Sequence, residues 1–360
     1  MKKFIFAIII ASVSLESCHK SDSTTPAANK TTQTATVTPV QYAITTYNGN
    51  LVVGGQSGNG GTFNSGIMQW NGSTWSSVGT GIQGGGSIYA LIVYNGNLIA
   101  VGGFENIGGV KVNGIAQWNG TSWSIIGNKG IESASNGNVS CLDIYNGNLI
   151  AGGYFDSING IHVNSIAQWN GITWTPLGNG FGAYSASCGT LLNYNGNLIA
   201  TGLFDSAGTF QLSNLAQWNG TVWDTVRLSD YGDIMNYGEN GGGVVWNGNL
   251  VLRANSTIIE WNGNQWSTIN NSIYTIGVPS VGSSVIVYGG NLLATNGSNI
   301  QSWNGSAWSS LGSFTLIGNT NPTDYPTVYA MTIYNGNLAV CGYFSSDGVA
   351  VYNGSTWTNL

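Results

Sequence analysis

The chain has 360 residues and a formal net charge of −6; only 6% of its residues are charged, while 55 are Gly. This composition is unlike that of an ordinary helical enzyme. It also excludes nucleic acid as an expected partner, because neutralising phosphates requires clustered basic side chains and residues 40–360 offer only Lys111, Lys129, Arg227 and Arg253.

The N-terminus predicts export. Lys2 and Lys3 precede the apolar run Phe4 to Val13, which has the layout of a signal peptide and is too short to span a bilayer. Leu15-Glu16-Ser17-Cys18 resembles the lipobox of bacterial lipoproteins, from which Glu16 departs. The resemblance implies that residues 1–17 are removed and that Cys18 is lipidated, anchoring the protein at the outer membrane or cell surface. An ordinary signal peptide with an unmodified Cys18 is the alternative.

Residues 18–39 are rich in Ser, Thr, Ala and Asn. Such a segment buries too little apolar surface to offset its ordering entropy, so we expect a flexible tether. No later stretch is long and apolar enough to span a bilayer, so the predicted attachment is by the N-terminal lipid alone.

From residue 40 onward, two phrases alternate along the chain. The first is aromatic-Asn-Gly-Asn-Leu, with Gly289-Gly290 replacing Asn-Gly in one copy, and it recurs every 42 to 52 residues. Its aromatic residues are Tyr47, Tyr94, Tyr145, Tyr194, Trp246, Tyr288 and Tyr334. The second is aromatic-Asn-Gly-x-x-Trp, with the pairs Trp70/Trp75, Trp118/Trp123, Trp169/Trp174, Trp218/Trp223, Trp261/Trp266, Trp303/Trp308 and Tyr352/Trp357. A period in this range indicates a repeat architecture.

One repeat illustrates the predicted strands. Asn-Gly between apolar runs indicates a tight hairpin with positive φ at both residues, which we expect at both Asn146-Gly147 and Asn170-Gly171. The predicted strands are 140–145, 148–154, 165–169 and 172–177. Seven such units predict an all-β fold, a seven-bladed β-propeller with four antiparallel strands per blade, over residues 40–360. A β-solenoid is the rival, but it does not need two hairpins per unit.

Glycine pairs in the second strands, aromatic residues ending the third strands and Trp in the fourth strands resemble the kelch repeat. The pairs are Gly54-Gly55, Gly102-Gly103 and Gly152-Gly153, whereas the fifth and sixth repeats depart with Arg253-Ala254 and Thr295-Asn296. The resemblance implies a propeller of the galactose-oxidase type. Such an oxidase needs paired His and Tyr ligands for copper, and residues 40–360 contain only His162, so no cofactor is expected.

The repeated aromatic residues have two interpretations, as a ligand platform or as packing between blades. Repetition in every unit favours packing. Cys141 and Cys188 fall in the first strands of neighbouring repeats, and a disulfide between them stays open on sequence grounds.

Strand direction places both Asn-Gly turns on one face and the long connections on the other. The long connections differ in length around the ring, which predicts a groove on their face, and binding residues favour such loops. The irregular segments Val226 to Gly243 and Leu311 to Thr327 supply our candidate binding residues, Asp230, Tyr231, Asp233, Tyr237, Glu239, Asp324 and Tyr325.

Four carboxylates near the ends of second strands are candidate Ca²⁺ ligands, namely Glu105, Asp156, Asp205 and Asp347. The competing interpretation, which we favour, is that they cap turns by accepting backbone N–H bonds. The predicted function is therefore that of a non-catalytic, monomeric envelope lipoprotein whose loops bind a protein or a glycan. A carbohydrate-active enzyme that uses these carboxylates is the alternative.

Overall fold

The computed structural model describes residues 40–58, 64–132, 137–182, 186–211, 214–226, 242–254, 257–269, 284–315, 325–344 and 348–360. Within these ranges all regular secondary structure elements are β-strands, in agreement with the prediction.

The strands of the first half, in chain order, are β1 (Gln41–Tyr47), β2 (Asn50–Gly55), β3 (Ile67–Trp70), β4 (Trp75–Ser77), β5 (Ile82–Tyr94), β6 (Asn97–Ile107), β7 (Val110–Lys111), β8 (Ile115–Trp118), β9 (Trp123–Ile125), β10 (Ile131–Glu132), β11 (Asn138–Tyr145), β12 (Asn148–Tyr154), β13 (Ser157–Ile158), β14 (Ile161–His162), β15 (Ile166–Trp169), β16 (Trp174–Pro176) and β17 (Phe181–Gly182). Those of the second half are β18 (Ser187–Tyr194), β19 (Asn197–Leu203), β20 (Ser206–Ala207), β21 (Phe210–Gln211), β22 (Leu215–Trp218), β23 (Trp223–Asp224), β24 (Gly243–Trp246), β25 (Asn249–Ala254), β26 (Thr257–Trp261), β27 (Trp266–Thr268), β28 (Val285–Tyr288), β29 (Asn291–Asn296), β30 (Asn299–Trp303), β31 (Trp308–Ser313), β32 (Thr327–Tyr334), β33 (Asn337–Tyr343), β34 (Val349–Tyr352) and β35 (Trp357–Asn359).

Seven antiparallel sheets each carry four strands in simple up-and-down order, and we call them blades 1 to 7. They are β1-β2-β3-β4, β5-β6-β8-β9, β11-β12-β15-β16, β18-β19-β22-β23, β24-β25-β26-β27, β28-β29-β30-β31 and β32-β33-β34-β35. In blade 2, β7 additionally pairs with β6. The first strands of successive blades contact one another, and β32 returns to β1, so these strands form a closed inner ring.

Each gap between neighbouring blades contains one hydrophobic core. The described residues form seven buried clusters, and each draws on two adjacent blades. The cluster that closes the ring packs Ile44 and Leu51 of blade 1 against Tyr334 and Cys341 of blade 7. Burial of these apolar faces between sheets supplies the main stabilisation of such a ring, and no blade mixes strands from the two ends of the chain.

The two Asn-Gly turns of a repeat differ in conformation. At the first, Asn48 and Gly49 both have positive φ, 49° and 80°, as a two-residue type I′ hairpin requires. The second was predicted to be the same, and this is wrong. Trp70 pairs with Trp75, so four residues form the loop, and of its Asn-Gly pair only Gly72 has positive φ.

The Asn side chain explains the longer turn. Asn71 Oδ1 accepts the backbone N–H groups of Ser73 and Thr74, both at 2.9 Å, and the corresponding Asn of the other repeats does the same. This local bond replaces the backbone pairing of a tight turn. The fourth strand of blade 3 consequently begins at Trp174 and not at residue 172.

Aromatic side chains connect one blade to the next, as the repetition predicted. The indole Nε1–H of Trp223 donates to the carbonyl of Leu177 at 2.8 Å, and Trp123, Trp174 and Trp357 make the equivalent bond. On the inner ring, the Tyr145 hydroxyl donates to the Gly196 carbonyl at 2.9 Å. These bonds satisfy polar groups that the packed interfaces remove from water.

Candidate functional site

The Tyr145 hydroxyl identifies which face carries which connections. It lies near the Gly196 carbonyl, in the first turn of blade 4, and also 3.5 Å from the carbonyl of Trp218, just before the second turn. Both kinds of Asn-Gly turn therefore share one face, which we call the turn face. The connections between strands two and three, and those between blades, lie at the opposite ends of the strands. We call that side the loop face.

On the loop face, blades 2 to 4 carry accessory ribbons. In each ribbon, the segment that enters a blade pairs with a short hairpin inserted between strands two and three of that blade. Two ribbons are the separate sheets β10-β13-β14 and β17-β20-β21, and the third joins Ile82 and Gln83 to Asn106 and Ile107, extended by β7. These stretches were predicted to be loops, and this is wrong. Asn159-Gly160 between Ile158 and Ile161 is the hairpin signal that was missed, and both turn residues have positive φ.

A groove of about 590 Å³ opens at the loop-face end of blade 2, beside the start of the ribbon of blade 3. It is lined by Gly85, Gly102, Gly103, Phe104, Glu105, Asn113, Gly114, Ile131 and Gly137. Of the five glycines in the lining, Gly85 and Gly103 are exposed, whereas Gly102 and Gly114 are buried and the Gly102 N–H donates to the Gly114 carbonyl at 3.1 Å. The groove is a concavity on the loop face, where one was expected.

Glu105 is the ionisable side chain of this lining, and Lys111 neutralises it. The two charged groups lie 2.6 Å apart, and both side chains are more than half exposed. An exposed ion pair contributes little stability, but it leaves the groove without an uncompensated charge. The Glu105 main-chain carbonyl also accepts the N–H groups of Val112 and Asn113, which closes the loop beneath the groove.

Beside the groove stands a row of three tyrosines, which we call the tyrosine arc: Tyr329, Tyr42 and Tyr89. They come from the innermost strands of blades 7, 1 and 2. The Tyr42 ring lies edge-on to Tyr329 with centroids 5.2 Å apart and to Tyr89 at 6.0 Å. Tyr89 is 38% exposed. A β-carbon added to Gly103 would stand 3.2 Å from the Tyr89 hydroxyl, so the arc meets the groove at Gly103.

A β-bulge places each arc residue. In blade 3, Val139 pairs with Gly153 and Cys141 pairs with Gly152, so Ser140 is left unpaired between them. Tyr42, Tyr89, Gly189 and Tyr329 occupy the same position in blades 1, 2, 4 and 7. The bulge brings a carbonyl of strand one against the second-strand glycine, where any β-carbon would overlap it. The glycines concerned are Gly55, Gly102, Gly153, Gly202 and Gly342.

The hydroxyls of Tyr42 and Tyr329 stay protonated at neutral pH. Burial raises the pKa of Tyr329 to about 12, with further contributions from Tyr42 and Tyr343. Burial, and then the proximity of Tyr89, also raises the pKa of Tyr42. Tyr42 and Tyr329 therefore present neutral phenols that both donate and accept hydrogen bonds.

One carboxylate lies on the inner ring, at Asp143 of β11. Its Oδ2 accepts the Nδ2–H of Asn193 at 2.7 Å, and its Oδ1 accepts the Ile144 N–H at 2.7 Å. Burial raises the pKa of Asp143 to about 6, against the lowering effect of these two bonds. Sequence reasoning did not select this residue, although it is the one charged side chain in the described first strands of the seven blades.

The candidate metal ligands occupy separate blades. Glu105 pairs with Lys111, and Asp205 accepts the Ser206 hydroxyl at 3.1 Å. Asp156 is exposed, and its main-chain carbonyl accepts the N–H of Val163. Asp347 lies outside the described residues. No group of three or more His, Cys, Asp or Glu suited to a metal ion occurs within the described ranges.

Most candidate binding residues also lie outside the described ranges, and these are Asp230, Tyr231, Asp233, Tyr237, Glu239 and Asp324; so does Cys18. Tyr325 is described and is 55% exposed, four residues before Tyr329. Sequence reasoning thus identified one exposed aromatic at this end of blade 7 but missed the arc. The signal in the sequence was that one repeat position carries Tyr in some blades but Ser140 and Gly189 in others.

Cys141 and Cys188 are free thiols, with their sulfurs 3.5 Å apart across the interface of blades 3 and 4. Gly152 makes room for them, since a β-carbon there would lie 2.7 Å from Cys188 Sγ and 2.8 Å from Cys141 Sγ. Burial raises the pKa of Cys141 and of Cys341, so both are protonated packing groups at neutral pH.

The fold defines a β-propeller, and structural comparison agrees. The extracellular domain of a putative one-component system from B. thetaiotaomicron is similar, with a TM-score of 0.58 and 10% identity over 89% of this chain and 39% of that one. PorZ, a surface component of the type-IX secretion system of Porphyromonas gingivalis, gives 0.53 and 15% over 88% and 47%. The WD40 propeller domain of Doa1 gives 0.52 and 11% over 88% and 94%.

At these identities the likeness concerns the fold alone, and the chain spans less than half of the first two proteins. No protein-family model matches the chain, and no curated protein matches its sequence. Among the described residues, no helix has the length and apolar character needed to cross a membrane.

Proposed function

We propose that this protein is a non-catalytic binding module of the bacterial cell envelope, and that its loop face holds a protein or glycan partner. The observation that carries the proposal is the groove between blades 2 and 3, with the tyrosine arc continuing from it. Its volume is within the range of small-molecule and ligand sites, roughly 300 to 1,000 Å³. The turn face, by contrast, repeats the same short turns in every blade and offers no comparable asymmetry.

The proposed location follows from the N-terminus. Residues 1–17 form the signal peptide, Cys18 carries the lipid, and residues 18–39 tether the propeller to the membrane. Two structurally similar proteins are described as an extracellular domain and as a surface component, which supports an exported protein. The aromatic and glycine pattern supports a kelch-type origin for the repeat.

A carbohydrate-active enzyme would need two carboxyl groups facing a substrate, one of them free to transfer a proton. The groove carboxylate, Glu105, is already paired with Lys111. His162 lies on the ribbon of blade 3, exposed and opposite Ser157. These placements favour a binding role over catalysis.

The test is capture of envelope proteins and glycans by the mature chain carrying Cys18→Ser, which removes the lipid site. Gly103→Phe places a bulky side chain where groove and arc meet, and Ile172→Phe adds the same ring at an 80% exposed position on the turn face. We expect capture to fall at least about tenfold with Gly103→Phe and to persist with Ile172→Phe. Equal capture by both variants would contradict a loop-face site.

The predicted contact loop has its own control. Asp230→Ala with Asp233→Ala removes two carboxylates from the irregular segment before blade 5. A loss of capture in this double variant alone would move the site from the groove to that segment.

A further inference from the structure

The tyrosine arc is the part of the inner ring where the repeat is least uniform. The bulge position carries Tyr in blades 7, 1 and 2 but Ser140 and Gly189 in blades 3 and 4. An aromatic needed for packing between blades would be required in every blade, as the Trp of the fourth strands is. The three tyrosines are therefore additional to the requirements of the scaffold.

We infer that the tyrosine arc and the adjoining groove bind a neutral saccharide chain, an inference that rests on the proposed function and specifies its partner. The arc supplies aromatic rings and hydroxyls in one row. Sugar rings combine apolar C–H faces with many hydroxyls, and amphipathic aromatic residues match both properties.

The groove continues this chemistry. Among its glycines, the exposed Gly85 and Gly103 allow close approach to main-chain groups, and Asn113 contributes an amide. The side-chain Nδ2–H of Asn113 is held by the Lys129 carbonyl at 2.7 Å, which fixes the position of the amide. Such uncharged donors and acceptors suit hydroxyl groups.

Charge and size favour a neutral saccharide over the other occupants that such a surface suits. The ion pair of Glu105 with Lys111 leaves no unbalanced charge for an acidic saccharide to meet. A stable protein–protein interface buries about 800 Å² on each partner, whereas the feature here is a concavity of about 590 Å³. The protein partner is therefore an outcome of the test and not the inference.

The experiment titrates the mature Cys18→Ser chain with soluble hexasaccharides by calorimetry. The neutral probes are hexamers of glucose, mannose and N-acetylglucosamine, and the acidic probe is hexagalacturonate. Tyr89→Ala and Tyr42→Ala remove arc rings, and Tyr89→Phe keeps the ring but removes its hydroxyl. Phe210→Ala is the matched control, because Phe210 is 43% exposed on the ribbon of blade 4.

We expect a neutral hexasaccharide to bind, the two Ala variants to weaken it at least about tenfold, and Phe210→Ala to leave it unchanged. Tyr89→Phe retains the packing of the ring and loses only the hydroxyl. We expect it to bind the hexasaccharide more weakly as well, because a hydrogen bond is lost. Tighter binding of hexagalacturonate, or equal losses in Tyr89→Ala and Phe210→Ala, would overturn the inference.

Failure of the inference and failure of the proposed function are distinguishable. If no saccharide binds but envelope proteins are captured through a site blocked by Gly103→Phe, the saccharide is wrong and the loop-face function stands. If neither class is captured, both are wrong.

Discussion

Blades 2 to 4 and blades 5 and 6 share two short turns per blade on the turn face and differ at the loop face. Blades 2 to 4 insert a hairpin between strands two and three, whereas in blade 6 only Gly297 and Ser298 separate the paired residues Asn296 and Asn299. Blade 5 is similarly short, since Ala254 pairs with Thr257. The turns of the turn face are therefore what the blades have in common, and the connections on the loop face differ in length from blade to blade.

The second strands show the same contrast in their interiors. Blades 2, 3 and 4 place glycine against the bulge carbonyl, while Ala254 and Asn296 stand at this position in blades 5 and 6. The preceding position carries Arg253, which is buried and whose guanidinium donates to the Thr295 carbonyl of blade 6. A hydrogen bond between side chain and main chain thus joins blades 5 and 6.

The largest expected effect on stability comes from replacing the second-strand glycine of a bulged blade with alanine, the residue that blade 5 carries at the equivalent position. Gly153→Ala would drive its β-carbon into the Asn138 carbonyl, and we expect a loss of about 3 kcal/mol in unfolding free energy. The reverse exchange, Ala254→Gly, removes one buried methyl group and should cost only about 1 kcal/mol. Denaturant unfolding of both variants measures the difference. Equal losses would show that the carbonyl contact is not what requires glycine.

Arg253 tests the interface of blades 5 and 6. Arg253→Thr installs the residue type that blade 4 carries at the equivalent Thr201. It leaves the Thr295 carbonyl without this donor and creates a cavity, so we expect about 2 to 3 kcal/mol of destabilisation. Lys111→Thr removes an exposed cation as the control and should change stability by less than about 0.5 kcal/mol. Similar unfolding midpoints for the two variants would refute the structural role of Arg253.

Asp143 distinguishes blade 3 from blades 5 and 6, where Val244 and Ile286 occupy its position. Because the pKa of Asp143 is raised to about 6 in the folded state, the folded protein binds the proton more tightly than the unfolded chain. The resulting stability is fully present below the ordinary pKa of Asp and is lost as pH rises through about 6.

Asp143→Asn should remove this dependence. Relative to the variant, the parent protein is expected to lose about 2 kcal/mol between pH 4 and pH 7, a figure reduced for the residual solvent contact of the side chain. Unfolding free energies measured at pH 4, 5, 6 and 7 provide the comparison. Parallel pH profiles would mean that Asp143 titrates normally.

The smallest effect compares two tryptophans of the fourth strands. Trp223 donates to the Leu177 carbonyl, whereas Trp308 Nε1 is buried with no hydrogen-bond acceptor among the described residues. Trp→Phe removes a similar ring volume in both, so Trp223→Phe should cost about 1 kcal/mol more than Trp308→Phe. Thermal unfolding of the pair checks this. If Trp308→Phe costs as much, ring packing alone explains both.

Much of the fold was predictable because its signals are local. The predicted ends of the four strands of blade 3 differ from the observed ends by two residues at most. Asn-Gly turns and apolar runs define these strands over short distances. The turn at Asn170 was mistaken for a two-residue hairpin, because the capping bond of an Asn side chain is not visible in the dipeptide. The ribbons were missed because their hairpin signals sit inside polar connections.

The candidate site was less predictable for a different reason. The sequence directed attention to irregular segments, and Tyr325 is the described member of that set. The arc joins Tyr329 to Tyr42 across the two ends of the propeller, and no local pattern links residues so far apart in the chain.

By itself, the sequence determined the number of repeats, the antiparallel hairpins and the structural role of the repeated tryptophans. Each of these follows from local turn signals and from their regular recurrence along the chain. Only the tertiary structure decided where the tyrosine arc and the groove lie. Ring closure brings blade 7 against blade 1, and the β-bulges leave one residue of the first strand unpaired in blades 1, 2, 3, 4 and 7. These positions arise from packing between blades, which a single repeat does not encode.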